Sequence, residues 1–216
     1  MLLKRGFDIA VSGIALLILS PLFALVALGI KLSSPGAIFY VAPRAGRGNT
    51  RFGQLKFRTM HVNADRAGAF TAKNDARIFG VGKVLRMLKL DELPQLLNVL
   101  RGEMSIVGPR PEDVETVQTC YTPEQMRVLD ALPGLTGLPQ VRFFPDLSII
   151  DTGGMDSQQH YKTVILPMRL AMDLEYIENR SFVYDLGLIV RTAYLIVVKA
   201  PWILVTGRVP RVELST

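Results

Sequence analysis

The chain has 216 residues, enough for one domain with a hydrophobic core; 49% of its residues are hydrophobic and its formal net charge is +6. A single cysteine, Cys120, excludes an intrachain disulfide. Two isolated histidines, His61 and His160, exclude a Cys/His metal cluster and give little support to a Ser-His-Asp centre. The positive charge favours an anionic surface or an anionic substrate over nucleic acid, because no nucleic-acid recognition motif accompanies it.

An apolar run from about residue 7 to residue 30 dominates the N-terminal segment. About 20 apolar residues suffice to span a bilayer as a helix. Ser20-Pro21 falls in the middle of the run, and a proline there removes a backbone donor and favours a kink or break. Basic residues flank both ends, which draws both ends to the cytoplasmic side. The residues alone leave two interpretations open, a re-entrant helix-break-helix hairpin and a kinked spanning helix.

A carboxylate, Asp8, lies near the start of this run, where a charged group needs a partner. Lys4 and Arg5 precede it by about one helical turn, and side chains at such a spacing lie on neighbouring parts of a helix surface. We therefore expect Asp8 to pair with one of these two basic residues.

The segment after the run predicts short strands separated by a turn at Gly46 and Gly48. Residues 38–41 form the first strand. In the second, QLKFRTM, apolar and polar residues alternate, so Lys56 and Arg58 are expected on one face. Such a face suits phosphate binding, although a solvated basic edge explains the pattern better when it stands alone.

The remaining elements are mostly helical, which predicts an α+β fold of mainly helices with a small β element. Helices are predicted over 82–90, Asp91–Leu100, a segment that begins at Thr122, Pro167 to about Ile177, and about Asp185–Lys199. Residues 61–77 have the composition of a loop, and residues 141–166 have no clear period. Arg191 interrupts the last helix, which favours burial or an interfacial position over spanning, and Trp202 is a candidate interfacial anchor.

Two adjacent carboxylates, Asp91 and Glu92, stand in LKLDELPQ, two residues before Pro94. Because proline is tolerated in the first helical turn, the stretch predicts a helix start with Asp91 as N-cap. Taken alone, this structural interpretation is the stronger one. A helix N-terminus also attracts anions and holds a carboxylate there ionised with a depressed pKa, which is a property that a nucleophile needs.

Basic residues near this pair strengthen the functional interpretation. Arg86 and Lys89 precede the pair, and Arg110 follows in MSIVGPRPE between two prolines. A stiffened arginine beside a glycine turn suits an anion, but an arginine that binds backbone carbonyls in a turn is an equally good interpretation. An ionised carboxylate among arginines can attack phosphorus when a divalent cation neutralises the phosphate.

The chain resembles the bacterial sugar transferases, the monotopic phosphoglycosyl transferases that load a sugar phosphate onto polyprenol phosphate. The stretches that carry the resemblance are KRGFDIA with the later Ser-Pro, KFRTM, VGKVLRMLKLDELPQLLNVLRGEMSIVGPRPE, PGLTG and DLEYIENRSFVYDLGLIVRTA. The long block from residue 81 to residue 112 is the most specific. The resemblance leaves out only residues 141–166 and the tail after residue 200.

The resemblance implies that Asp91 is a nucleophile that attacks the β-phosphate of a UDP-sugar, releases UMP and forms a phosphosugar-aspartate, which polyprenol phosphate then attacks. It implies that Glu92 completes an acidic pair that handles a metal ion or a proton, with Mg²⁺ as the ion held by Asp91 and Glu92. Basic residues expected near the phosphates are Lys56, Arg58, Arg86 and Arg110.

The same resemblance implies a re-entrant membrane anchor over residues 1–33, broken at Ser20-Pro21, and a catalytic domain over residues 34–216. It implies the inner bacterial membrane, with the catalytic domain on its cytoplasmic face. Departures from the family pattern at Lys89, at Leu138-Pro139 and over VRFFPDLS leave the sugar open, and the oligomeric state is open as well. Two rivals remain: a non-catalytic module that binds acidic membranes, and a direct lipid glycosyltransferase that releases UDP.

Overall fold

The computed structural model describes residues 2–62, 64, 75–143, 157–199 and 202. Over these residues the fold is α+β and mostly helical, as predicted. The helices are α1 (Leu2–Ser33), α2 (Gly80–Met87), α3 (Gln95–Arg101), α4 (Val114–Cys120), α5 (Leu138–Arg142), α6 (Ser157–His160), α7 (Leu166–Asn179) and α8 (Phe182–Tyr194). The strands are β1 (Phe39–Ala45), β2 (Arg51–Phe57), β3 (Ser105–Val107) and β4 (Gly134–Thr136). Most of the predicted loop at 61–77 and the stretch 144–156 lie outside the described residues.

The N-terminal helix α1 is uninterrupted, with Pro21 inside it. The predicted loss of helix at Ser20-Pro21 is therefore not observed. Ser20 Oγ donates to the carbonyl oxygen of Leu17 at 2.8 Å, as a helical serine does when it bonds back to the preceding turn. Among the described residues, α1 is the one helix long and apolar enough to cross a membrane by length and composition.

One face of α1 packs on the rest of the fold along most of the helix. Near its start Val11 and Leu19 pack against the main hydrophobic cluster, and near its end Val26 and Ile30 are buried against Phe57. The opposite face is apolar and exposed. Its exposed large residues include Ile14, Leu17, Ile18, Leu25, Leu28 and Leu32. The predicted boundary at residue 33 thus separates two segments that share hydrophobic clusters.

Polar contacts fix the first two turns of α1 to the domain, and they correct the predicted pairing of Asp8. Asp8 is buried and accepts from Ser105 Oγ at 2.8 Å and from the amide of Ile106 at 3.1 Å. Lys4 forms an ion pair with Asp185 of α8 instead. Asp8 therefore pairs across the fold with β3, because two unpaired donors of that strand face it, and not along its own helix.

The predicted strands form an antiparallel hairpin in which Tyr40 of β1 is opposite Lys56 of β2. Its turn contains Gly48 at φ 64° and Asn49 at φ 60°, the left-handed region that favours glycine and asparagine. A second, parallel pair joins β3 to β4, with Ser105 opposite Gly134. The sequence analysis did not predict this pair, whose strands have three residues each.

The helix α7 covers the predicted Pro167–Ile177, but it continues from α6 through a π-helical segment, Tyr161–Ile165, so the predicted start at Pro167 is wrong. The helix α8 begins three residues before the predicted Asp185 and continues as a π-helical segment, Leu195–Lys199. The predicted helix from Thr122 is a short 3₁₀ segment, Gln125–Asp130, with reciprocal capping bonds between Thr122 and Gln125. The buried side chains of the main cluster come mostly from α3, β3, α5, α7 and α8, and α3 and β3 adjoin the segments that carry the carboxylate pair and Arg110.

Candidate active site

The carboxylate pair lies on a tight turn between α2 and α3. Lys89 has a left-handed backbone at φ 57°, and Leu90–Glu92 then form a single 3₁₀ turn before α3 begins at Gln95. The predicted helix over Asp91–Leu100 therefore begins four residues later, and Asp91 is not its N-cap. The amide of Leu93 bonds to Leu90 at 3.2 Å, so a 3₁₀ bond closes this turn before the α-helix begins.

Glu92 is held by two basic side chains from distant segments. Its Oε1 atom accepts from Arg110 Nη2 at 3.1 Å and lies 3.5 Å from Lys56 Nζ. Burial alone raises the pKa of Glu92, but the charges of Arg110, Lys56 and Lys89 outweigh it and hold that pKa well below its ordinary value. Glu92 is therefore ionised at neutral pH and binds the side chains of Arg110 and Lys56.

Asp91 has a different environment from its neighbour. It is buried, and its Oδ1 atom has no hydrogen-bond partner among the described residues. Burial, and next the charge of Glu92, raise the pKa of Asp91 to about 6, against the opposing charges of Lys56, Lys89 and Arg86. The predicted depressed pKa is thus wrong, because desolvation and a like charge act here in place of a capping bond.

Lys56, predicted as a phosphate-binding residue, reaches the pair from β2. Burial lowers its pKa, and the charge of Glu92 acts in the opposite direction by stabilising the ammonium. Arg44 of β1 lies near enough to lower the pKa further, while its Nε atom donates to Gln54 at 3.1 Å. Together with Arg86, Lys89 and Arg110, these residues form a cationic surround for the carboxylates that suits a diphosphate.

Of the predicted basic residues, the structure brings Lys56, Arg86 and Arg110 near the pair, but not Arg58. Arg86 acts on the pKa of Asp91 and donates from Nε to Thr59 Oγ1 at 2.8 Å. Arg58 is buried, follows the end of β2, and donates to the Ser34 and Ala37 carbonyl oxygens. Its guanidinium therefore fixes the segment after α1, and the expected common face with Lys56 does not form.

Three nearby residues were not singled out as site residues by sequence reasoning. Lys89 was noted as a basic residue before the pair and as a departure from the family pattern, and Arg44 of β1 belongs to the basic residues that follow the apolar run. Gln95 is buried four residues after Asp91, and its Nε2 atom has no hydrogen-bond partner among the described residues. The sequence could have indicated Gln95, because it is a polar residue on the buried side of a helix, where a polar group needs a hydrogen-bond partner.

A buried asparagine of α3 aligns this helix with β2. Asn98 accepts from the amide of Leu55 at 2.9 Å and donates to the Gly53 carbonyl oxygen and to Glu103, each at 2.7 Å. Leu55 adjoins Lys56, and α3 follows the carboxylate turn. Asn98 therefore fixes the distance between the two elements that bring Lys56 to Glu92.

The donor set is compatible with one Mg²⁺ ion. The described residues contain no group of three His, Cys, Asp or Glu side chains that could hold a metal. Mg²⁺ in phosphoryl-transfer sites commonly takes one or two carboxylates and completes its shell with water and substrate phosphates. The unpartnered Oδ1 atom of Asp91 fits such a ligand, while Glu92 is already paired with two cations.

Comparison with known proteins places these features in a family. Residues 1–199 match the family model described as bacterial sugar transferase. The chain is 39% identical over 192 residues to the UDP-glucose:undecaprenyl-phosphate glucose-1-phosphate transferase of Caulobacter vibrioides, covering 88% of this chain and 67% of that protein.

Two further relatives are similar. The chain is 40% identical over 205 residues to the exopolysaccharide production protein ExoY of Rhizobium meliloti, covering 88% of this chain and 83% of ExoY. It is 34% identical over 201 residues to the UDP-glucose:undecaprenyl-phosphate glucose-1-phosphate transferase of Escherichia coli, covering 89% of this chain and 40% of that protein. With the match over residues 1–199, this chain belongs to the bacterial sugar transferase family and is an enzyme.

Proposed function

We propose that the chain transfers a sugar 1-phosphate from a UDP-sugar to a polyprenol phosphate, releasing UMP, through a covalent intermediate on Asp91. The observation that carries the proposal is the contrast between the two carboxylates. Glu92 is bound to Arg110 and Lys56, whereas the Asp91 Oδ1 atom has no partner among the described residues and faces a cationic surround. A carboxylate with a free oxygen beside phosphate-binding cations is equipped for nucleophilic attack on phosphorus.

In the first step, a lone pair of an Asp91 carboxylate oxygen forms a bond to the β-phosphorus. The bond from that phosphorus to the oxygen bridging the α- and β-phosphates breaks, and UMP leaves with the bridging oxygen and its electron pair. In the second step, a phosphate oxygen of polyprenol phosphate attacks the same phosphorus. The bond to Asp91 breaks, which restores the carboxylate and yields a polyprenyl diphosphate sugar.

The basic residues stabilise the charge that moves during these steps. Arg110 offers a planar fork for two phosphate oxygens, and Lys56 offers a compact ammonium from the other side of Glu92. Arg86 and Lys89 lower the pKa of Asp91 and so favour the ionised nucleophile. Mg²⁺, when bound, would be held by Asp91 with water and substrate phosphates as its other ligands, since Glu92 is paired with two cations, and it would neutralise further charge on the diphosphate and on UMP.

The direct lipid glycosyltransferase differs in one product, because it would break the sugar–phosphate bond and release UDP. The discriminating experiment is to identify the nucleotide released from UDP-glucose, chosen because two relatives are named for it, with polyprenol phosphate present. We expect UMP, and its loss in Asp91→Asn. A matched control is Asp113→Asn, since Asp113 caps α4 and asparagine caps equally well. Release of UDP would contradict the proposal, and no release with any UDP-sugar would favour a module that only binds membranes.

We also propose that both ends of α1 lie on the cytoplasmic side of the inner membrane, together with the catalytic domain. Asp8 contacts β3, and Ile30 packs near Phe57 of the same domain. A helix of 32 residues is about 48 Å long if straight, and a spanning helix would carry one end across about 30 Å of hydrocarbon. Domain contacts along one face support a helix that enters the bilayer and does not leave on the other side.

The outward surface of the molecule supports the same arrangement. Phe7 of α1 and Phe182 of α8 make an edge contact with ring centroids 5.4 Å apart, so the starts of the two helices lie side by side, and both helices carry exposed apolar residues. On α8 these include Val183, Val190 and Tyr194. Such a surface suits the lipid side of a protein that reaches a polyprenol substrate in the bilayer.

Cysteine labelling tests this topology. A cysteine at position 2, in a Cys120→Ser background, should resist an impermeant reagent in intact cells and react after the membrane is opened. Position 118, an exposed position of α4 in the domain, gives the reference for the cytoplasmic side. Labelling of position 2 from outside would show that α1 spans the membrane.

A further inference from the structure

A buried polar cluster lies behind the loop that carries Arg110. Arg169 of α7 and Glu112 form an ion pair, and both side chains are less than a tenth exposed. Tyr161 donates to the same Glu112 oxygen and accepts from Arg169 Nη1 at 2.7 Å. None of these three residues contacts the carboxylate pair through a hydrogen bond described above, so the proposed chemistry does not use them directly.

The cluster adjoins Arg110 on two sides. Glu112 is two residues after Arg110, in Pro-Arg-Pro-Glu. Asp173, one turn after Arg169 on α7, is buried and lies 3.8 Å from Arg169 Nε. Burial raises the pKa of Asp173 to about 7, against the opposing charges of Arg169 and Arg110, and neither carboxylate oxygen of Asp173 has a hydrogen-bond partner among the described residues.

The main chain of this loop is bonded to two further elements. The amide of Ala45, at the end of β1, donates to the Glu112 carbonyl oxygen at 2.9 Å, and the amide of Gly134 in β4 donates to that of Pro109 at 2.7 Å. The loop is therefore fixed to the hairpin that carries Lys56, to the parallel strand pair and, through Arg169, to α7. The ion pair between Arg169 and Glu112 adds a side-chain contact to these main-chain bonds of the loop.

A buried ion pair usually contributes little to the net stability of a fold. Removing two charges from water has a large desolvation penalty, and well-packed apolar residues of similar volume often stabilise a fold as well or better. A charged fork does, however, fix direction, because Arg169 bonds Glu112 and Tyr161 with separate nitrogens. The geometry of this pair therefore suits a role in orientation.

We propose that Arg169 is a positioning residue, which holds Glu112 and thereby sets where the guanidinium of Arg110 meets Glu92 and the diphosphate of the substrate. This inference rests on the proposed function for the identity of the substrate. The contact between Arg169 and Glu112 does not depend on it. The link from α7 to the carboxylate pair runs from Arg169 through Glu112 to Arg110 and ends at Glu92. Arg169 acts on the reaction only through Arg110.

The test is a double-mutant cycle with Arg169→Lys and Arg110→Lys. Arg169→Lys keeps the charge and loses the fork, so we expect kcat/KM for the UDP-sugar to fall about tenfold, with a melting temperature near that of the wild type. In the Arg110→Lys background the same change should cost less than about threefold, because the group it positions is already altered. Equal losses in both backgrounds would overturn the inference.

A second variant and a control guard against a general loss of folding. Glu112→Gln keeps an acceptor for Tyr161 and should show the same non-additivity with Arg110→Lys. Arg142→Lys alters a bidentate pair with Glu175, which is also on α7 but half exposed, and should change kcat/KM by less than about twofold. A loss in the control equal to that of Arg169→Lys would attribute the effect to α7 as a whole and overturn the inference.

Hydrogen–deuterium exchange separates this inference from the proposed function. Amides of residues 108–113 should exchange faster in Arg169→Lys than in the wild type or in Arg142→Lys, with or without a UDP-sugar. If the wild type releases UDP or no nucleotide, the proposed function falls and the exchange result still decides whether Arg169 holds the loop. Unchanged exchange over 108–113 would overturn the inference, whatever nucleotide is released.

Discussion

Arg110 Nη2 lies 3.1 Å from Oε1 of Glu92, eighteen residues earlier in the chain. Lys56 Nζ lies 3.5 Å from the same oxygen. Glu92 thus brings two cationic side chains together, whereas the Asp91 Oδ1 atom has no hydrogen-bond partner among the described residues. In this account the two adjacent carboxylates have separate roles: Glu92 orders the cations, and Asp91 performs the attack.

Arg110→Lys should reduce kcat/KM for the UDP-sugar by about tenfold or more, because an ammonium cannot contact Glu92 and two phosphate oxygens as a planar fork does. Steady-state UMP release measures the effect. Arg142→Lys, at a more exposed bidentate pair, is the matched control. Full activity in Arg110→Lys would restrict Arg110 to a structural role.

The rate of UMP release should rise with pH through the pKa of Asp91, which is about 6, since the nucleophile must be ionised. The charge of Lys89 lowers this pKa. Lys89→Met should therefore move the acidic limb of the pH profile to higher pH, with a larger loss at pH 6 than at pH 8. Single-turnover measurements across this range decide the point. A limb that stays in place would show that Lys89 does not act on the nucleophile.

Asp91→Asn should stabilise the fold at neutral pH while it abolishes turnover. The pKa of Asp91 is raised from 3.8 to about 6 in the folded state, so the native protein binds the proton more tightly than the unfolded chain does. The free energy of unfolding therefore falls as the pH rises from about 3.8 to about 6 and stays lower above pH 6, and the amide removes that loss. In chelator, we expect a melting temperature a few degrees higher at pH 8 and little difference below pH 4.

The control for this stability measurement is Asp113→Asn, which changes a carboxylate that caps α4 and should leave the melting temperature nearly constant at pH 8. An equal or lower melting temperature for Asp91→Asn would show that the buried carboxylate is stabilised by contacts other than those described.

Asn98→Ala should weaken both the fold and the reaction. Asn98 is fully buried and makes three hydrogen bonds that tie α3 to β2 and Glu103, so its loss leaves buried groups unpaired, at a cost of about 1–3 kcal/mol for each such group. Denaturant unfolding measures the loss. Asn179→Ala, at the exposed end of α7, is the control. A change below about 0.5 kcal/mol for Asn98→Ala would contradict the role of Asn98.

Sequence patterns over a few neighbouring residues predicted those elements of the fold that depend on contacts between neighbouring residues. Alternation and turn residues predicted the β1–β2 hairpin. Pro167 did not mark a helix start, because the chain is already helical from Ser157 through a π-helical segment, Tyr161–Ile165, into α7. The carboxylate pair and Arg110 were singled out from the residues themselves, and the family resemblance added their expected roles and that of Lys56. The structure brings Lys56 and Arg110 to Glu92, and phosphate binding by these residues stays a prediction.

Long-range contacts account for what the sequence could not predict. Asp8 has basic residues one turn away, yet pairs with Ser105 of β3. Arg58 belongs to a shared motif, yet its hydrogen bonds go to the segment after α1. The raised pKa of Asp91 depends on burial by elements that are distant in the chain, and no local pattern records that burial.

The covalent intermediate is the central claim, and mass spectrometry of the peptide containing Asp91 tests it most directly. Wild-type protein incubated with UDP-glucose and Mg²⁺, without lipid, should release no more than one equivalent of UMP and carry a hexose-phosphate adduct on Asp91. Later addition of polyprenol phosphate should remove the adduct. An adduct that persists in Asp91→Asn, or turnover with no adduct on that peptide under any quench, would contradict the account.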